Sequence, residues 1–128
     1  MARTQRSRLT TKPTGGVYHT ASSRGKREYE RAGAPTLTGL GEHHIVLEKK
    51  KFGHYQTKVL RADSVNLFDP KTKKYSKAVI KIVAENKANA NFVRRNILTK
   101  GAIIDTDKGK AKITSRPGQS GSLTAVLV

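Results

Sequence analysis

A chain of 128 residues with 26 Lys or Arg against nine Asp or Glu carries a formal charge of +17. The length fits one domain, but only 35% of residues are hydrophobic, so its core is modest. No apolar run is long enough for a membrane span, none follows the basic start as a secretory signal requires, and the lack of cysteine excludes disulfides, thiolate metal sites and a cysteine nucleophile. A cytosolic protein is expected. Such a charge repels itself, and a large polyanion relieves the repulsion, so nucleic acid is the leading partner.

Residues 1–41 hold only four Leu, Ile or Val: Leu9, Val17, Leu37 and Leu40. They cannot bury enough apolar surface to offset their ordering entropy, and the segment reads as an extended basic arm, disordered alone. Its cations are Arg3, Arg6, Arg8, Lys12, Arg24, Lys26, Arg27 and Arg31, against Glu28 and Glu30. Arginine chelates phosphate with two N–H groups and stacks on unpaired bases. Gly15 and Gly16 let a backbone approach phosphate closely. Arg24–Arg31 is a possible helical turn, capped by Ser22 or Ser23 and too short to stand alone. Residues 42–128 form the folded domain. They carry 18 cations against seven carboxylates, so the domain is basic as well.

From His44 onward the chain is rich in β-branched residues and broken by turn signals. His44–Lys50 and Gln56–Arg61 are predicted strands flanking the turn Phe52-Gly53-His54. Ser64–Asp69 is a short strand, ended by the type I turn Asp69-Pro70-Lys71-Thr72. Tyr75–Ala84 is the clearest strand, with Ala78, Ile80 and Ile82 on one face and Lys77, Val79 and Lys81 on the other. Asn86 or Asn89 can cap a short helix that carries Phe92, Val93, Arg94 and Arg95. Ala102–Thr106 and Lys110–Ser115 form a hairpin about Asp107-Lys108-Gly109, with Ala111 and Ile113 inward. Arg116–Gly121 is a loop, and Leu123–Val128 is a last, apolar strand. About six strands and one short helix favour a small barrel or sandwich, and closure would protect the last strand's edge.

Little in this pattern suggests chemistry. His43 and His44 point to opposite faces of a strand, so with His19, His54 and Glu42 they make a poor metal site. Asp69 and Asp107 have turn roles, the pair Asp105 and Asp107 could hold a cation but more often such a pair neutralises neighbouring lysines, and no nucleophile meets a base. Neither Thr14-Gly15-Gly16 nor Pro117–Gly121 has the lysine and hydroxyl of a nucleotide-binding loop. Basic clusters stand out instead: Lys49-Lys50-Lys51, Lys71–Lys77, and Arg94-Arg95 with Lys100. The lysines of 71–77 flank a turn and read equally well as a solvated face. Arg94-Arg95 interrupts an apolar stretch, which holds the pair rigid. Tyr18, Tyr29, Phe52, Tyr55, Phe68, Tyr75 and Phe92 are the only aromatics, with no ribonucleoprotein motif around them. Recognition through the nucleic-acid backbone and shape is therefore favoured.

Val93-Arg94-Arg95-Asn96-Ile97-Leu98-Thr99-Lys100-Gly101-Ala102-Ile103-Ile104 resembles the signature of the "eight-e" family of small-subunit ribosomal proteins of archaea and eukaryotes. Thr114–Gln119 with Gly121 resembles that family's C-terminal loop, and Leu60-Arg61-Ala62-Asp63 and Asp69–Thr72 its middle. Arg6-Ser7, Lys12–Gly16 and Lys26–Glu30 resemble its arm. The resemblance implies an archaeal-length structural protein with a six-stranded antiparallel barrel and an N-terminal arm threaded into RNA. The implied partners are small-subunit ribosomal RNA and neighbouring ribosomal proteins. No cofactor, metal, membrane, small-molecule substrate or homo-oligomer is expected. The chain departs from the family pattern at Phe52-Gly53-His54 and at Lys73, where a hairpin glycine is usual. Lys58, Arg61 and Arg116 complete the candidate RNA contacts. A large-subunit assembly factor of a related barrel family and a general nucleic-acid-binding protein of the chromatin or RNA-chaperone type are the alternatives.

Overall fold

The computed structural model describes residues 13–16, 29 and 33–128, and Thr36–Val128 forms one compact unit. In chain order its strands are β1 (Thr38–Leu40), β2 (His44–Lys49), β3 (Tyr55–Ala62), β4 (Ser64–Asp69), β5 (Lys74–Glu85), β6 (Ile97–Leu98), β7 (Ile103–Thr106), β8 (Gly109–Ile113) and β9 (Thr124–Leu127). Two four-residue helices interrupt them, α1 (Asn91–Arg94) and α2 (Pro117–Ser120). The second lies where a plain loop was expected.

The strands divide into a four-stranded sheet, ordered β2-β3-β1-β6, and a closed barrel of β4-β5-β7-β8-β9. The unit is all-β, as expected. Five strands close the barrel, however, and not six, and the ring is not wholly antiparallel, because β4 and β9 run parallel. An odd ring cannot alternate direction all the way round, so one parallel pair is obligatory. The β2–β3 hairpin, read as barrel, belongs to the separate sheet.

Thr38–Leu40, at the end of the segment read as the arm, pairs parallel with β3 and antiparallel with β6. The Thr38 hydroxyl donates to the Val59 carbonyl at 2.7 Å and is buried. One hydrophobic cluster serves both layers. The sheet supplies Val59, Ala62 and Leu98, and the barrel supplies Val65, Leu67, Ala78, Ile80, Val83, Ile104, Ala111, Ile113 and Ala125. Each large aliphatic side chain buried there contributes about 1.5–3 kcal/mol. The alanines match the narrow bore, where small and large residues must alternate to fill a taper.

Strand β5 departs from simple alternation. Ala78 and Ile80 are buried as expected, but Ile82 is 51% exposed and Val83 takes its place inside at 3%. Ile80 pairs with Thr106 while Ile82 pairs with Asp105, so Lys81 is an extra residue. A bulge of this kind turns the side chains that follow it to the other face, and a second register shift follows between Val83 and Glu85. Ala111 and Ile113 on β8 point inward as read from the sequence.

Turn chemistry follows the sequence at Asp69. Its carboxylate accepts the Lys71 N–H and the Thr72 hydroxyl, both at 2.9 Å. Both bonds favour the ionised form and hold this carboxyl below its ordinary range, the Lys71 amide most. Lys73 then adopts the left-handed conformation (φ 53°) that the hairpin requires.

Candidate nucleic-acid interface

Helix α1 sets the geometry of the arginine pair. Asn89 meets its first donors: the side-chain oxygen accepts from the Asn91 N–H at 2.9 Å and the carbonyl from the Phe92 N–H at 3.0 Å. Asn86, the other expected cap, is buried and serves β6 instead. Its amide donates to the Ile97 carbonyl and to the Thr99 hydroxyl. Val93 packs against the core, and Ile97 and Leu98 are buried just beyond. Between them Arg94 and Arg95 are exposed, and with Asn91 they line an open hollow. Asn96 ends the helix with φ 48° and accepts the Val83 N–H through Oδ1 at 3.2 Å. The pair is thus held by apolar anchors on both sides and by a side-chain tether to the barrel. Holding the backbone in this way reduces the entropy cost of binding.

Lys100 lies at the other end of β6, exposed in the turn Thr99–Ala102. The Ala102 N–H donates to the Thr99 carbonyl at 3.1 Å, and Gly101 takes the left-handed conformation (φ 84°) that the turn requires. Arg61 joins the same region through strand register. Gly39 pairs with Arg61 on one side and Ile97 on the other. Arg61 and Ile97 therefore stand two strand spacings apart, about 10 Å. Register and turn together place Arg61, Arg94, Arg95 and Lys100 about β6 and β1.

The hairpin lysines are a separate group. Lys49 and Lys51 are exposed and have no acidic partner among the described residues. Lys50 and Lys58 both pair with Glu48, Lys50 at 3.0 Å. The two ammonium groups, Lys58 foremost, hold the Glu48 carboxyl below its ordinary range. Sequence reasoning missed this neutralisation, because Glu48 and Lys58 meet only through the pairing of β2 with β3.

Arg116 is exposed at the start of α2. Its carbonyl accepts the Gln119 and Ser120 N–H groups, both at 2.9 Å, which occupies amides that would otherwise face an anion. The two glycines here are packing residues. A Cβ at Gly118 would lie 3.1 Å from that of Thr36, and one at Gly121 would overlap Thr57. This accounts for Pro117–Gly121 as a structural turn. In the N-terminal segment, Gly15 and Gly16 are exposed and Gly15 has φ 84°. Arg3, Arg6, Arg8, Lys12, Arg24, Lys26, Arg27 and Arg31 lie outside the described residues, as does most of the helical turn expected over Arg24–Arg31.

Asp105 and Asp107 both have neighbours on adjoining strands. Asp107 accepts the Val79 N–H at 3.1 Å and returns its own N–H to the Val79 carbonyl. Asp105 stands opposite Lys110 on the neighbouring strand. Among the described residues no three His, Asp or Glu gather as metal ligands, and no helix is long and apolar enough to cross a membrane.

The fold and surface define a basic all-β protein with an arginine pair braced at its surface. The chain belongs to the family of ribosomal protein S8e, whose profile matches residues 5–128. It is 47% identical over 117 residues to the small ribosomal subunit protein eS8 of Methanocorpusculum labreanum, covering 91% of this chain and 92% of that one. It is 42% identical over 121 residues to the eS8 of Picrophilus torridus, covering 94% and 95%. The eS8 of Nanoarchaeum equitans is 44% identical over 115 residues, covering 90% and 89%. The resemblance read from the signature Val93–Ile104 is thereby established.

Proposed function

We propose that the protein is a structural constituent of the small ribosomal subunit in the cytoplasm, and that it binds and stabilises small-subunit ribosomal RNA. The arm is shorter than the 1–41 read from the sequence, because Thr38–Leu40 is a strand of the folded unit. Residues 1–35 enter the RNA as a basic arm, and Thr36–Val128 docks by its cationic surface. The observation that carries this reading is the bracing of Arg94 and Arg95, exposed between core-packed Val93 and buried Ile97-Leu98. Rigid arginines suit bidentate contacts to phosphate. Arg61, Lys100, Lys49, Lys51 and Arg116 extend the surface, Lys50 and Lys58 add to it when Glu48 is displaced, and Gly15-Gly16 admits a close backbone approach. Neighbouring ribosomal proteins are the other partners.

The test is a salt titration of binding to small-subunit ribosomal RNA. Contacts to roughly six to ten phosphates lower affinity by about three to five decades between about 50 and 200 mM salt. A nearly flat titration overturns the proposal.

A further inference from the structure

The tip of the β2–β3 hairpin breaks a local rule. Phe52 and Gly53 both have positive φ, 60° and 73°, and the His54 N–H donates back to the Lys51 carbonyl at 3.4 Å. This is the pair of left-handed residues that a type I′ turn needs. Asn, Asp or Gly normally fills its first central position. A bulky side chain there is a backbone outlier that costs folding free energy.

Folding does not explain the phenylalanine. Its ring is 94% exposed. The other two phenylalanines are accounted for: Phe68 pairs with Tyr75 at 4.9 Å between centroids, and Phe92 is half-buried. Strain with no internal contact to offset it belongs to a site that meets a partner.

The surroundings indicate which partner. Lys49, Lys50 and Lys51 precede the ring and His54 follows it, all exposed, and Lys49 and Lys51 have no ion-pair partner among the described residues. An apolar protein pocket would have to desolvate those ammonium groups. A nucleotide offers phosphates to the lysines and a π-face to the ring. We propose that Phe52 stacks on an unpaired base of ribosomal RNA while Lys49 and Lys51 contact the flanking phosphates. This rests on the RNA-binding reading above and adds a base contact to a surface otherwise suited to phosphate.

The experiment uses the full chain and transcribed small-subunit ribosomal RNA. F52N suits the type I′ turn, so it leaves the melting temperature unchanged or raises it. It weakens RNA binding by about 5- to 150-fold, the range that one stacked base spans. Its salt slope stays that of the parent, because no charge is removed. The chain has no tryptophan, so F52W adds a single indole reporter. F52W keeps the parent's affinity, and its emission is quenched when RNA binds.

Equal affinity of F52N and the parent overturns the stacking proposal, as does unchanged indole emission in the RNA complex. Indole emission that changes only in complete subunits, and not with RNA alone, assigns the ring to a protein neighbour and also overturns it. Failure of the parent itself to bind RNA overturns the broader reading, and so the two failures are distinguishable.

Discussion

The Val83 amide donates to the Asn96 side-chain oxygen across 3.2 Å, joining the residue that ends α1 to the strand that turns inward after a bulge. This bond sets the position of the arginine pair relative to the barrel. N96A removes the acceptor and the residue type that tolerates φ 48°. It is expected to lower unfolding free energy by about 1–3 kcal/mol, the cost of an unpaired buried donor. N96D keeps an acceptor and is expected to lose much less. Urea denaturation of the two variants checks this.

Reversing both arginines, R94E with R95E, leaves the fold intact, because both side chains are exposed. RNA affinity is expected to fall at least tenfold and the salt slope by about two, one for each phosphate no longer neutralised. Filter binding at several salt concentrations measures both. An unchanged slope would remove this pair from the interface.

Gly121 has φ 67°, and a Cβ there would overlap Thr57. G121A combines left-handed strain with overpacking and is expected to cost about 2 kcal/mol or more. T57S does not rescue it, because the Thr57 Cβ itself would lie 2.6 Å away. Melting temperatures of the single and double variants decide this.

Glu48 and Asp69 are both held below their ordinary values of 4.5 and 3.8, by Lys58 with Lys50 and by the Lys71 amide with Thr72 respectively. A carboxylate of lowered folded-state pKa contributes stability above its unfolded value and loses it as pH falls through the folded one. Denaturation midpoints are therefore expected to hold above pH 4.5 and to decline below it. E48Q and D69N should each make that decline shallower. Both residues are only partly buried, so solvent screens them and the contribution of each is small. E48Q also frees Lys50 and Lys58, and RNA affinity is expected to rise in that variant at neutral pH.

Thr38 ties β1 to β3 through its bond to the Val59 carbonyl, and β1 is the strand between β3 and β6. Removing residues 1–35 is expected to leave the melting temperature of the remaining unit nearly unchanged. Removing residues 1–41 deletes β1 as well and is expected to lower it sharply. Thermal scans of the two truncations separate these outcomes.

Much of this was legible in the residues themselves. Period-two alternation located Ala111 and Ile113 inside β8, and Asp69-Pro70 marked a turn whose hydrogen bonds are the ones its residue types form. The signature at Val93–Ile104 identified the family. The bulge at Lys81 was not legible, because no residue type announces it and it appears only as a shift of register against β7. Pro117–Gly121 was legible as a turn, but the packing of its Gly118 and Gly121 against Thr36 and Thr57 was not.

The sequence by itself determined the sign and scale of the charge, +17 over 128 residues, the β class and the family. Each is a property of composition or of neighbours along the chain. Tertiary structure alone decided that five strands close the barrel, that Val83 and not Ile82 faces the core, and that one carboxylate, Glu48, holds two of the basic residues. Those facts depend on strand register and on charges brought together from separate strands, which local pattern does not encode.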